Sequence, residues 1–530
     1  MAPWWQNAVF YQVYPRSFHD ANGDGVGDLP GLLARLNHFT MLGVDALWIS
    51  PVFRSPMADF GYDVSDYTAI DPLFGTLADF DALLAAAHAR GLRIVLDLVP
   101  NHTSDQHAWF VESRSSRDNP HRDWYIWRDP APDGGPPNNW LSYFGGPAWT
   151  LNPASGQYYL HNFAPEQPEL NYRNPAVKQA MFAQIRFWLD RGVDGFRIDV
   201  IDRMLKHPDL PDNPPDPNWR EGDNPVWRLR RVHSENADGI HALIAEMGDV
   251  FRAYPDRVSI GEIAYSTDPA FIASFRGTPE RPEIDMPFNF APLMLPWSAE
   301  AVRAFVDAYD AAVPGPGANY VIGNHDQDRV ATRRGPEQAR VAAMLLLTLR
   351  GAAFIYQGEE LGLTNGEVAR EHFRDPQGIN TGFSRDPCRT PFHWDDSHNA
   401  GFSECDTPWL PVAANYRTHN VLAELDDSRS FLQLYRQLIA LRRAEPALAE
   451  GRYRSVAAPE GVFLYAREHD HQRLWMALNF TAQPQTVALP DADAQVVLST
   501  LLDRAGETAG GLLTLRPGEG VIVRARPAGA

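Results

Sequence analysis

"VDGFRIDVI", residues 193–201, is an apolar strand-like run interrupted by two charges. Side chains of a strand alternate between faces, so Arg197 and Asp199 share one face and Phe196 and Ile198 the other. Taken alone, the run is equally an edge strand with one solvated face. Its surroundings decide the matter. A helical pattern, "PAVKQAMFAQIRFWLDRG" (175–192), precedes it and closes on a glycine. The same alternation recurs outward in both directions. "AVFYQVYP" (8–15), "VDALWISP" (44–51) and "LRIVLDLVP" (92–100) come before it. "RVSIGEI" (257–263), "EIDMPFNF" (283–290), "YVIGNHDQ" (320–327) and "AAFIYQGEE" (352–360) come after. Most are followed by apolar residues at helical spacing. Eight strand–helix units within about 440 residues predict a (β/α)₈ barrel, with a doubly wound sheet as the alternative.

Three stretches break the rhythm. Residues 102–172 are rich in Trp, Tyr, Asn, Pro and Gly and exceed an ordinary loop, which predicts an inserted subdomain after the third strand. Residues 361–428 are also irregular, and "HPDLPDNPPDPNWREGDNP" (207–225) reads as a loop over the barrel mouth. From residue 452 to 530 the pattern becomes antiparallel β, as in "GVFLYARE" and "RLWMALNF". The expected division is therefore a barrel of residues 1–101 and 173–451, the insertion 102–172, and a C-terminal β-sandwich 452–530.

Composition narrows the function. The 530 residues are 44% apolar and 22% charged, with a formal charge of −20. That balance offers no basic surface for nucleic acid or for an anionic membrane, and suits a neutral substrate. No apolar run is long enough to span a bilayer, and "MAPWWQNAVF" lacks the basic and apolar parts of a signal peptide. The two cysteines, Cys388 and Cys405, have no zinc-ligand spacing and are expected as free thiols in the cytoplasm. The sequence sets no oligomeric state.

Acidic residues gather at the strand ends. Asp97 and His102 follow the third strand, Arg197 and Asp199 lie in the fourth, Glu262 ends the fifth, and His325 and Asp326 end the seventh. The C-terminal strand ends of a barrel converge on one face. A single such Asp is readily a helix cap, and Asp97 reads as a structural acceptor. Several together repel one another and raise each other's pKa, a crowding usually kept for chemistry. Three carboxylates, an Arg and two His without a metal motif suit glycosidic bond cleavage.

The stretches "DLVPNHTS", "GFRIDVID", "GEI" and "NHDQ", with "GYDVSDY" (61–67), "QPELNY" (167–172) and "FIYQGEELG" (354–362), resemble the α-amylase family of glycoside hydrolases over nearly the whole chain. "QPELN" is similar to the oligo-1,6-glucosidase and α-glucosidase branch. The resemblance implies Asp199 as nucleophile, Glu262 as general acid/base and Asp326 as transition-state stabiliser, with Arg197 supporting Asp199. It implies that His102 and His325 bind glucose hydroxyls, that Asp59 bonds the non-reducing end, and that Tyr62 stacks beneath the sugar. Arg389 in "DPCRTPFHWD" matches the arginine that pairs with that aspartate to close the pocket. Phe144, Phe163 and Gln167 are further carry-overs, and Val200 after the nucleophile goes with α-1,6 linkages. The expected activity is an exo-acting retaining α-glucosidase acting on short oligosaccharides or glucosides, with transglucosylation. Sucrose isomerases and trehalose synthases share the catalytic set, and some superfamily members are non-catalytic partner subunits.

"DANGDGVGD" (20–28) invites other readings. Asp28 occupies the place of the third glycine of a dinucleotide fingerprint, so no organic cofactor is expected. Gly31 stands where an EF-hand has its glutamate. Asp20, Asn22, Asp24, the Val26 carbonyl and Asp28 supply hard oxygens, which resemble the calcium loop of the oligo-1,6-glucosidase branch. A structural Ca²⁺, or Mg²⁺, is the expectation.

Overall fold

A computed structural model describes residues 2–491 and 493–525. Eight parallel strands form one sheet: β1 (Val9–Val13), β2 (Ala46–Ile49), β3 (Arg93–Leu98), β4 (Gly195–Ile198), β5 (Val258–Gly261), β6 (Met286–Pro287), β7 (Asn319–Val321) and β8 (Ala352–Tyr356). Their order is β6-β5-β4-β3-β2-β1-β8-β7, so the first and last strands meet and the sheet curls into a barrel. Between β6 and β7 a side chain spans the seam. Asn319 donates to the Pro287 carbonyl (2.7 Å) and accepts from Asn289 N–H (3.0 Å). The expected strands are all present.

Alternation divides the strand residues as a barrel requires. Phe10, Trp48, Val95, Ile260, Met286, Val321 and Phe354 pack into one interior cluster. Tyr11, Leu47, Leu96, Phe196, Ile198 and Ile355 belong to the outer core beneath the helices. The helix Pro175–Arg191 shows why those segments are helical: Asn174 caps it, Pro175 opens it, and Gly192 ends it at φ 104°. Gly195 permits β4 to approach β5, because a Cβ there would lie 2.2 Å from the Val258 carbonyl.

Within 102–172 lie the helix Ala108–Ser115 and a three-stranded antiparallel sheet of Trp127–Arg128, Gln157–Leu160 and Trp149–Asn152. Trp140, Trp149 and Leu160 form its own small cluster with Leu210. From Arg452 to Ala525 the regular elements are strands, in a six-stranded antiparallel sheet and a two-stranded one that share a core of Leu464, Trp475, Val487, Leu513 and Val523. Residues 526–530 of the expected C-terminal span lie outside the described residues. No helix among the described residues is long and apolar enough to cross a membrane.

Candidate active site

The interior apolar layer is capped at the C-terminal strand ends by a polar one. Register builds it. Asp97 on β3 sits opposite Arg197 on β4, and Arg197 opposite Ile260 on β5. The backbone continues that pairing past the strand ends: Asp199 N–H donates to the Leu98 carbonyl and Glu262 N–H to the Ile198 carbonyl, both at 2.8 Å. Arg197 therefore lies among three carboxylates. Its Nη1 donates to Asp97 (2.7 Å) and Asp199 (2.8 Å), and its Nη2 donates to Glu262. Asp97 also accepts from Trp48 Nε1 (3.0 Å) and Tyr62 OH (3.1 Å), so it is a buried acceptor, as its place in the strand suggested. Asp199 and Glu262 keep a little exposure (9% of each side chain) while Arg197 has 1%, which points the two carboxyls outward from the guanidinium. Just after Asp199 the backbone turns at Val200 with φ 38° and ψ 50°. A buried β-branched residue in the left-handed region is strained, and such strain gathers at working sites.

A wall of neutral groups adjoins this layer. Gln12 Nε2 contacts His325 Nδ1 (2.7 Å), and His325 Nε2 contacts Tyr62 OH (2.7 Å), which in turn donates to Asp97. The chain places the His325 proton on Nε2. Tyr62 and His325 also stack, 5.5 Å apart and nearly parallel. His102 Nε2 lies 3.1 Å from the Tyr62 carbonyl and 3.1 Å from Gln167 Nε2, and Gln167 reaches Asp59 at 3.2 Å. Phe163 packs on His102 (5.2 Å) and on Phe144 (5.6 Å). Burial pushes the His102 imidazole down to about 3 and holds His325 well below its usual range, so both act as neutral hydrogen-bonding groups.

One expected pairing is wrong. Asp59 pairs with Arg385, not Arg389: Arg385 Nη2 lies 2.8 Å from Asp59 Oδ1. The short helix Asp386–Arg389 makes nearly a full turn between the two arginines. Arg389 is thereby driven inward, fully buried, with Nε on the His325 carbonyl (2.7 Å) and Nη2 on Asp326 (2.9 Å). Arg385 also reaches Asp326 (3.2 Å) and lies over the Phe144 ring, 4.8 Å from its centre. Its third carboxylate partner, Asp375, had no recognisable motif in the sequence. Nor did Gln12, whose role depends on which strand neighbours β1.

The charges separate the carboxyls of Asp199, Asp97 and Asp326. Burial raises Asp199 well above the carboxylate range; Arg197 opposes that, and Glu262 and Asp97 add to it. Asp97 is pushed up to about 6, again by burial first and against Arg197. Burial would raise Asp326 too, yet the charges facing it, His325 and then Arg385, Arg389 and Arg197, hold it well below the usual range. With His325 itself neutral, the three arginines are the charges present at neutral pH. Crowding thus keeps the Asp199 side of the site from carrying all its negative charges at once.

A profile of the α-amylase catalytic domain matches residues 12–451. The chain belongs to the α-amylase family. Among its relatives in that family is the oligo-1,6-glucosidase of Heyndrickxia coagulans, 39% identical over 96% of this chain and 98% of the relative. Two solved structures extend the likeness. An α-glucosyl transfer enzyme, XgtA, is 44% identical with a TM-score of 0.93, covering 99% of this chain and 100% of that one. The trehalulose synthase MutB of Pseudomonas mesoacidophila MX-45 is 37% identical with a TM-score of 0.90 over the same shares. This α-amylase-family chain is a glycoside hydrolase built on an eight-stranded barrel.

Burial first, and the neighbouring carboxylates after it, disfavour the charge on Asp199. Replacing Asp199 by Asn removes one negative charge at nearly constant shape. Asp199→Asn should melt no lower than the unsubstituted protein in a calorimetric scan, and a fall of about 3 °C or more would contradict this account.

Proposed function

We propose that the chain is an exo-acting retaining α-glucosidase that releases glucose from the non-reducing end of short α-glucosides. The observation that carries this reading is Arg197, whose two terminal nitrogens hold Asp199 and Glu262 together. Two carboxyls from neighbouring strand ends sharing one guanidinium suit the closely spaced pair of a retaining enzyme. In the proposed mechanism Asp199 attacks the anomeric carbon as Glu262 protonates the leaving oxygen. Water, activated by Glu262, then attacks the glucosyl–Asp199 ester and frees α-glucose. Asp326, kept ionised by its arginines, faces the positive charge that develops on the ring. His102 and His325 contact the glucose hydroxyls as neutral imidazoles, Tyr62 supports the ring, and Gln167, Phe144 and Phe163 line the pocket. Asp59 with Arg385 closes the far end, so only a chain end enters.

Val200 favours α-1,6 over α-1,4 linkages on this reading, in keeping with the oligo-1,6-glucosidase relative. An alcohol in place of water would yield a transferred glucoside, in keeping with the transfer enzyme XgtA. Isomaltose, maltose, sucrose and trehalose should be offered in turn, and the first-formed anomer read by proton NMR. α-Glucose from isomaltose, and loss of turnover by several orders of magnitude in Asp199→Asn, support the reading. β-Glucose as the first product, or near-normal turnover in Asp199→Asn, would overturn it.

We also propose that the loop Asp20–Asp28 holds a structural Ca²⁺. Asp20 and Asp28 are buried, and the donors are all hard oxygens, which suits Ca²⁺ or Mg²⁺. The loop is already folded on itself: Asp20 accepts from the N–H groups of Asn22, Gly23 and Gly25, and Asp24 from that of Val26. Among the described residues no group of three or more His, Cys, Asp or Glu is arranged to hold a metal, so an ion would have to draw Asp20, Asp24 and Asp28 together with the Asn22 side chain and the Val26 carbonyl. Ser403 Oγ donates to Asp20 (2.6 Å), tying the loop to the segment after β8. A chelator should lower Tm and added Ca²⁺ restore it; an unchanged Tm would refute the ion.

A further inference from the structure

We infer that Asp375 is a positioning residue that sets the glucose-binding wall through Arg385, an inference that rests on the glucosidase reading above. Arg385 is a long side chain in an irregular loop, yet it must meet Asp59, Asp326 and the Phe144 ring together. Asp59 follows β2, Asp326 follows β7, and Phe144 lies in the insertion. A flexible arm reaches three separate segments only if something else fixes its direction.

Asp375 does so from within the same loop. It is fully buried and has no exposure to the pocket. Its Oδ2 accepts from the Arg385 backbone N–H (2.7 Å), which anchors the root of the side chain. Its carboxylate also receives Arg385 Nε (3.2 and 3.1 Å) and Nη2 (2.7 Å), the fork-like pairing that orients a guanidinium plane. The outer edge of the guanidinium is then left to face Asp326 through Nη1 (3.2 Å) and Asp59 through Nη2 (2.8 Å).

The loop that carries this pair is tied at its base. Asp386 accepts from the N–H groups of Arg374 (2.6 Å) and Asp375 (3.1 Å), so two aspartates cross-link the chain at 374–375 and 385–386. Between them the helix Pro376–Thr381 rests against the insertion: a Cβ on Gly145 would lie 3.1 Å from Thr381 and 3.5 Å from Asn380. The neighbour of Gly145 is Phe144, the ring beneath Arg385. Asp375 thus orients Arg385 from one side while the same loop steadies Phe144 on the other.

Asp375 has a second duty that must be separated from the first. It caps the helix Pro376–Thr381 by accepting from Gln377 N–H (3.1 Å). Asn is as good a cap as Asp, so Asp375→Asn keeps the cap and removes the ion pair with Arg385. The test is a double-mutant cycle on the full chain, with p-nitrophenyl α-glucoside as substrate and Asp375→Asn, Arg385→Met and their combination as variants. Release of glucose by the unsubstituted protein decides the glucosidase reading by itself, independently of any variant. Given that activity, Asp375→Asn should raise KM about tenfold with kcat changed much less. In the Arg385→Met background the same substitution should change KM less than about twofold, because its route is already gone. Asp375→Glu, which keeps the charge, should recover part of the lost affinity. An equal effect in both backgrounds, a fall confined to kcat, or no effect on KM would overturn the inference. If Asp375→Asn does not fold, the cycle is run with Asp375→Glu, and an effect of equal size in both backgrounds again refutes it.

Discussion

Everything at the mouth of the barrel is organised around one buried guanidinium. Arg197 holds carboxylates from three adjacent strands within a layer that admits almost no water. Removing charges from water is costly, and only close pairing makes it tolerable. The cost is not fully offset here, since Asp97 and Asp199 stay above the usual carboxylate range. An arrangement selected for stability alone would replace these groups with packed apolar side chains. Its retention is a sign of chemistry.

The neutral wall and the charged rim play different parts around that centre. His325, Tyr62 and His102 are held by hydrogen bonds that fix their orientation without adding charge. Asp326 is instead surrounded by arginines and stays ionised. The site therefore presents one carboxylate held ionised by arginines beside two, Asp97 and Asp199, that burial holds above the usual range. The relatives named above include an oligo-1,6-glucosidase, a glucosyl transfer enzyme and a trehalulose synthase.

Much of this was legible in the sequence because it is local. Alternation within "GFRIDVI" assigned Arg197 and Asp199 to one face, and the eight strand–helix units assigned that face to a barrel interior. Motifs at strand ends located His102, Glu262 and Asp326. What escaped was set by loop geometry. Arg385 and Arg389 stand four residues apart in "SRDPCRT", and only the turn Asp386–Arg389 decides which one reaches Asp59. Asp375 lies ten residues before its partner, inside a loop with no periodicity to read. Gln12 looks like any inward polar residue of a strand until β1 is placed beside β2 and β8. Val200 shows no sign in sequence of its left-handed backbone.

The central claim is that Asp199, seated on Arg197, forms the bond to the sugar. A 5-fluoro-α-glucosyl fluoride should trap that bond, with fluoride leaving from the anomeric carbon, and peptide mass spectrometry of the labelled protein should find the added fluorohexosyl mass on Asp199 alone. A label on another residue, or inactivation-free turnover with no covalent adduct at any time point, would contradict the account.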